Sequence, residues 1–325
     1  MKIFRLLITV AHFVLIALLL GTIANAYVTP KVFPLFNLLS LAFPVLMMLN
    51  VALILFWMLL RKKRALIFLA VSLLLIMPVR RWINYSGESA ETPNLKIVTV
   101  NIKGGTLGID KIQDYLKNSG ADIILNQEVS QQMKIPGYQY HTTDFPLVCL
   151  NSKTEILKQE HLESEGVGNA FFADIRCNGR IIRLINVYLT PFSFDKGKVK
   201  PTEDFDQNKT TVKYILKRLI PGFKIHQEEV LVIQKAIADS PYPVIVAGDF
   251  NSVPNSYEYY QIGKNLKDVF VETGNGSATS FHDYKFPIRI DYVFCSKELK
   301  PVSYSVDRNV KISDHYPVIA EFKIE

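Results

Sequence analysis

The amino-acid sequence predicts an α/β layered sandwich preceded by an N-terminal transmembrane helical segment. Charge distribution is the first observation behind this reading. Residues 1–85 hold nine of the chain's 37 Lys and Arg and no Asp or Glu, so residues 86–325 carry 28 basic residues against all 30 acidic ones. The second observation is a set of three long apolar runs within residues 1–85. The third is the pattern after residue 94, where short β-rich runs alternate with helical stretches across hairpin-length gaps. That pattern suits a layered sandwich better than a doubly wound sheet. The pI near 9.1 and the mean hydropathy of +0.16 are therefore averages over two unlike parts. With 49% hydrophobic residues, the chain is not disordered.

The membrane segment spans residues 1–85 and comprises three predicted transmembrane helices. The runs 6–26 and 35–60 each reach the roughly 20 apolar residues that a bilayer core requires. The run 65–79 is shorter and gains length if Arg80 and Arg81 snorkel. A cleaved signal peptide is disfavoured for the first run, because it is long and a second follows at once. Arg61, Lys62, Lys63 and Arg64 form the densest basic loop and, with Lys2 and Arg5, are expected in the cytoplasm. The 26–34 loop, with only Lys31, then lies outside. Three spans place the remainder on the extracytoplasmic side of the inner membrane; a surface-lying third helix would instead leave it in the cytoplasm.

Residues 86–94 (SGESAETPN) read as a polar linker, and residues 95–325 as one globular domain large enough to bury a core. Strands are expected at 95–100, 122–126, 147–150, 171–175, 181–188, 244–247, 290–294 and 318–322. Helices are expected at 110–118, 207–219, 227–238 and 256–262. Cys149, Cys177 and Cys295 are odd in number, lie in strand runs and lack metal spacing, which points to buried unpaired thiols.

Polar groups cluster at strand ends. Asn101 follows LKIVTV, Glu128 follows DIILNQ, and Asp249 and Asn251 follow PVIVAG. Tyr188 lies within IRLINVYLTP, Asp291 opens DYVF, and Asp314 with His315 precedes the last strand. Singly, each has a bland reading: Glu128 as a solvated loop carboxylate, the GDFN tetrapeptide as a turn, Tyr188 as core packing. Directly after buried strands, they are together well placed to converge on one rim of a sandwich. Glu128, Asp249, Asp291 and Asp314 brought together call for a cation, and hard oxygen donors suit Mg²⁺. The absence of a second histidine near His315 argues against zinc.

The ordered set Asn101, QE at 127–128, NVYL at 186–189, GDFNSVPNS at 248–256, RIDYVF at 289–294 and SDHYPV at 313–318 resembles the endonuclease/exonuclease/phosphatase superfamily. That group includes DNase I-like nucleases, abasic-site endonucleases, inositol-polyphosphate phosphatases and neutral sphingomyelinases. The resemblance covers essentially all of 95–325 and extends to bacterial members with a short membrane bundle. It implies a four-layer αββα sandwich, DNase I-like, with the site at one edge. It also implies Mg²⁺, or Mn²⁺ in its place, bound by Glu128 with Asn101 and Asp314 supporting. Asp249 is then expected to activate water, Asn251 to contact phosphoryl oxygens, and Asp291 to orient His315 for charge stabilisation. Many members carry His where this chain has Tyr188; the abasic-site endonuclease branch resembles it in carrying Tyr, so the phenol is expected to serve as a donor to phosphate.

The expected activity is hydrolysis of a phosphodiester or phosphomonoester by a membrane-anchored enzyme. The substrate is nucleic acid, a nucleotide or a lipid headgroup; the lipid bilayer is a partner through residues 1–85, and no protein partner is inferred. A domain with net charge −2 lacks the surplus cations on which duplex binding depends. The competing class is a non-catalytic membrane receptor or scaffold on a degenerate sandwich. The lysines at 196, 198 and 200, and the stretch His282-Asp283-Tyr284-Lys285, are read either as substrate-shaping loops or as exposed turns.

Overall fold

Strongly apolar sequence makes two long helices, Lys2–Gly21 and Leu35–Leu59, both long and apolar enough to cross a membrane by length and composition. The computed structural model that shows them describes residues 2–130, 133–142, 145–195, 202–283 and 287–325. The third apolar run is helical but broken, into Arg64–Ser72, a tight turn Leu73–Leu75, and Ile76–Arg80. Leu19, Phe43, Trp57, Phe68 and Leu75 form the core between these helices. A polar chain crosses that core. Trp57 Nε1 donates to His12 Nδ1 (3.1 Å), His12 Nε2 bonds Asn50 Oδ1 (2.9 Å), and Asn50 Nδ2 donates to Ser72 Oγ (2.9 Å). Each polar group buried among apolar helices is thereby paired with one from another helix.

Two six-stranded sheets follow. One runs in the order Lys267–Asp268, Asp291–Cys295, Val244–Asp249, Arg180–Tyr188, Asn169–Cys177, Ile156–Leu162; the other in the order Lys300–Val306, Val318–Lys323, Leu95–Asn101, Ile123–Val129, Leu147–Ser152, Tyr140–His141. The sheets face each other across Leu125, Leu150, Phe171, Leu184, Ile245 and Val318. Helix Ile109–Asn118 seals the outside of the second sheet through Ile112 and Leu116 against Val98 and Ile124. Helices Phe205–Ala238 and Tyr257–Ile262 seal the first through Val230, Ile233 and Ile262 against Ile185 and Val246. The result is the layered α/β sandwich. Strands buried on both faces coincide with the apolar runs of the sequence. Cys149, Cys177 and Cys295 are buried and unpaired.

Three features depart from expectation. The helices anticipated at 207–219 and 227–238 are one 34-residue helix, Phe205–Ala238, running through Pro221. A Cβ on Gly222 would lie 2.6 Å from the Phe192 ring, so this glycine is where a neighbouring aromatic packs, and the helix does not end there. Arg80 and Arg81 turn towards the sandwich instead of snorkelling: Arg80 Nη2 donates to Val271 O (2.9 Å), and Arg81 Nη1 to Asn255 Oδ1 (2.8 Å). The polar stretch after the membrane segment lies along the domain as well. Ile83–Tyr85 pairs with Asn275–Ser277, and Ser89 N donates to Val302 O.

The apolar N-terminal helices end on the sandwich. Asn25 Nδ2 and Ser40 Oγ both donate to Asn255 O (2.9 and 2.7 Å), and Asn255 Nδ2 donates to Pro78 O (3.2 Å). Asn37 Nδ2 donates to the Glu258 carboxylate while Asn37 Oδ1 accepts from Tyr257 N.

Candidate active site

The strand ends deliver their polar groups to one rim because sheet register holds them level. Val244–Asp249 lies between Arg180–Tyr188 and Asp291–Cys295, with Asp249 opposite Tyr188 on one side and Asp291 on the other. Gly248 makes this close pairing feasible: its φ is +139°, and a Cβ there would stand 2.0 Å from Val187 O. On the second sheet the ladder slips between Gln127 and Val129, and Glu128 adopts φ +50°. This bulge turns the Glu128 side chain out of the sheet.

All eight expected site residues gather here. Asn101 Nδ2 donates to Glu128 Oε1 and to Asp249 Oδ2, each at 2.9 Å, and so joins the two sheets. Tyr188 OH donates to Glu128 Oε1 (3.0 Å). Asp249 Oδ1 accepts from Asn251 N (2.8 Å), and Asn251 Nδ2 donates to Leu189 O (2.7 Å). His315 Nδ1 lies 2.8 Å from Asp291 Oδ2, and its Nε2 stands 3.8 Å from Asp249 Oδ2, too far for a hydrogen bond. Asp314 reaches the cluster through Lys103, whose Nζ is 2.6 Å from Asp314 Oδ2 and 3.5 Å from Asp283 Oδ2. Tyr284 and Lys285, and the lysines at 196, 198 and 200, lie outside the described residues.

Burial sets the electrostatics. Asp249 is fully buried, which pushes its carboxyl well above the ordinary carboxylate range; facing His315 and the bond from Asn101 offset this in part. For His315, burial opposes the cation, but Asp291 and Asp249 outweigh it and the imidazole is held above its usual 6.5. Burial, then Glu128 and Asp249, drive the Tyr188 phenol upward, so it stays protonated and donates.

A family model described as the endonuclease/exonuclease/phosphatase family matches residues 98–315. The chain belongs to this family. As an endonuclease/exonuclease/phosphatase family member it is a phosphoester hydrolase. A second model, described as a domain of unknown function (DUF8431), matches residues 4–82. No curated protein matches the chain. Among solved structures it is similar to humanized D. rerio TDP2 (TM-score 0.52, 16% identity, 71% of this chain and 99% of that one). It is also similar to the Neisseria 3′ phosphatase NExo bound to a product DNA hairpin (0.51, 17%, 71% and 100%). A third is an endonuclease/exonuclease/phosphatase family protein from Bacteroides thetaiotaomicron (0.50, 16%, 70% and 94%). At these identities the likeness is one of fold.

Two groups offer themselves to a cation. Asp249, Asp291 and His315 place donor atoms within 4.8 Å of one another, but His315 Nδ1 is already engaged with Asp291, and of the three only His315 lines the cavity beside the site. Glu128 and Asp314 instead line an open cavity together with Lys103, Asn251 and His315. A hard, hydrated cation fits this oxygen-rich opening. Asn101 reaches Glu128 through its amide nitrogen, while its Oδ1 accepts from Lys103 N (2.9 Å).

Sequence reasoning overlooked Lys103 and Leu41, both of which line the cavity. Lys103 stands two residues beyond Asn101 at the same strand end, a signal that was there to be read. Nothing local to Leu41 in the sequence connects it with residues 60 to 270 positions away.

Proposed function

We propose that this family member is a membrane-anchored, Mg²⁺-dependent phosphoesterase that cleaves a phosphodiester by metal-assisted attack of water. One observation carries the reading: Asn101 ties the Glu128 and Asp249 carboxylates together beside the Asp291–His315 pair, and Glu128 and His315 face one cavity. Glu128, with Asn101 and Asp314 beside it, would hold the cation. When bound, the cation polarises the phosphoryl oxygen as a Lewis acid.

The chain's own groups do the remainder. Asp249, its carboxyl raised towards neutrality by burial, takes the proton of the attacking water. The water oxygen bonds to phosphorus, the bond to the leaving ester oxygen breaks, and that oxygen takes up a proton. His315, kept cationic by Asp291, spends Nδ1 on that partner and leaves Nε2 for the charge that builds on the phosphoryl oxygens. Asn251, fixed by Leu189, is the second contact for those oxygens. One water is consumed, giving an alcohol and a phosphate monoester.

Replacing Asp249 by Ala in the full-length protein is expected to lower Mg²⁺-dependent hydrolysis of bis-(p-nitrophenyl) phosphate about a hundredfold or more, with the circular dichroism spectrum retained. Equal turnover by the two proteins would sink the mechanism, and no turnover by either would favour a non-catalytic scaffold.

Membrane anchoring is supported by the two helices that meet the length and composition of a span. The chain connects the two arms of the bundle so that Lys2, Arg5 and the 61–64 turn lie away from the end bonded to the sandwich. With the basic end in the cytoplasm, the catalytic domain lies on the extracytoplasmic side of the inner membrane.

A further inference from the structure

The cavity beside the site, about 470 Å³ in volume, has two chemically different ends. Lys103, Glu128, Asn251, Asp314 and His315 form one. The other is apolar, with Phe192, Phe194, Ile215, Leu219, Ile288 and Leu41 among its walls. A phosphate occupies only the first; a space of this size is of the kind that encloses a whole small ligand.

Leu41 decides what the second end is for. It belongs to the second turn of Leu35–Leu59, one of the two helices long and apolar enough to cross a membrane, so one wall of the cavity is a helix of that kind. Val45, Met48, Ala52 and Leu55 follow Leu41 at spacings of four, seven, eleven and fourteen, which keeps them on one face. All five are exposed. The cavity therefore continues, without a polar break, into an apolar stripe along the helix.

A second wall repeats the pattern. Ile215 and Leu219 of Phe205–Ala238 line the cavity, and Val212 and Phe205 extend the same face outward, both exposed. Lys209, Lys213 and Lys217, four residues apart, form an exposed basic row on the other side of this helix. An apolar stripe backed by lysines is the pattern of a helix that lies in a bilayer interface and attracts anionic headgroups.

Resting on the phosphoesterase reading above, we propose that the substrate is a lipid phosphoester drawn laterally from the bilayer. Its phosphate lies at the Glu128–His315 end and its hydrocarbon chain lies against Leu41, Ile215 and Leu219. A nucleic-acid strand needs cations along a track of several phosphates, and residues 86–325 carry 28 basic residues against 30 acidic ones. A nucleotide leaves the apolar end of the cavity unfilled. Hydrolysis of the lipid needs only water: one phosphorus–oxygen bond forms to water oxygen, the one to the lipid or headgroup alcohol breaks, and that alcohol leaves with a proton.

The test uses the full-length protein in detergent micelles with Mg²⁺ and measures kcat/KM for the methyl, butyl and octyl esters of p-nitrophenyl phosphate, beside single-stranded and abasic DNA. Burial of the chain predicts a rise of about a hundredfold or more from methyl to octyl, and no DNA cleavage at a comparable rate. Leu41→Ala and Ile215→Asn should each cut the octyl-to-methyl ratio about tenfold, which partition into the micelle alone does not do. A ratio that neither substitution changes, a flat wild-type series, or faster cleavage of DNA overturns the lipid assignment while leaving the phosphoesterase intact. Failure of the folded wild type to turn over any ester overturns both.

Discussion

Glu128 and Asn251 both sit in left-handed backbone, at φ +50° and +46°, a conformation that costs an ordinary side chain energy and gathers at working sites. Asn tolerates it well; Glu does not, and the ladder slip beside it shows what is gained, a carboxylate aimed out of the sheet. Tyr188 is the group that steadies this carboxylate. Its one hydroxyl proton goes to Glu128 Oε1, so in this arrangement the phenol acts on the proposed metal ligand before it acts on phosphate. Tyr188→Phe is accordingly expected to raise the Mg²⁺ concentration for half-maximal activity by about tenfold or more, with kcat recovered at saturating metal. A loss of kcat at every metal concentration, with an unchanged Mg²⁺ midpoint, would return Tyr188 to the role of phosphate donor.

Among the elements, Phe205–Ala238 has the most unusual construction. Its anchor is His226, fully buried, with Nε2 2.7 Å from Thr190 O and Nδ1 2.7 Å from Glu258 Oε1. Thr190 O has no proton to give, so Nε2 donates; facing a carboxylate, Nδ1 donates too, and the ring is an imidazolium. Burial opposes that charge, but Glu258 and Glu229 hold the folded-state value above the ordinary 6.5. A raised value means that the stabilisation is fully present below about pH 6.5 and is lost as pH rises through the folded-state value. The thermal midpoint of the full chain should fall along that alkaline limb, and His226→Gln should flatten it. A midpoint equally pH-dependent in both proteins would show that His226 carries no charge. Elements were legible in sequence where burial is two-sided, as for Val244–Asp249. Ile156–Leu162 was missed because an edge strand with one wet face, reading ILKQEHL, lacks an apolar run. Lys300–Val306 was missed because Pro301 demotes it. The turn at Pro221 and Gly222 reads as a helix end, since only the packed Phe192 explains the glycine.

At the scale of the molecule, the site was readable because its residues stand at or close to strand ends, and strand ends of a sandwich meet. The meeting of the cavity with helix Leu35–Leu59 was not, because it depends on how two parts of the chain dock. In the proposed topology the catalytic domain shares a side with the 22–34 turn. A periplasm-active phosphatase fused after Glu325 should be active, and a cytoplasm-dependent fluorescent reporter at the same place dark. The reverse pattern would put the catalytic domain in the cytoplasm.

Asn255 accepts at its carbonyl from Asn25 and Ser40, accepts at its side chain from Arg81, and donates to Pro78. One loop residue, four positions beyond Asn251, thus acts as a keystone among all three helical arms. The anchor is consequently not a generic tether. An unrelated hairpin grafted in its place would supply equally apolar helices yet leave this loop, and the catalytic strand end it continues, without its foundation. Variation in the N-terminal helices and in the 253–258 segment should therefore be inherited together, as one part.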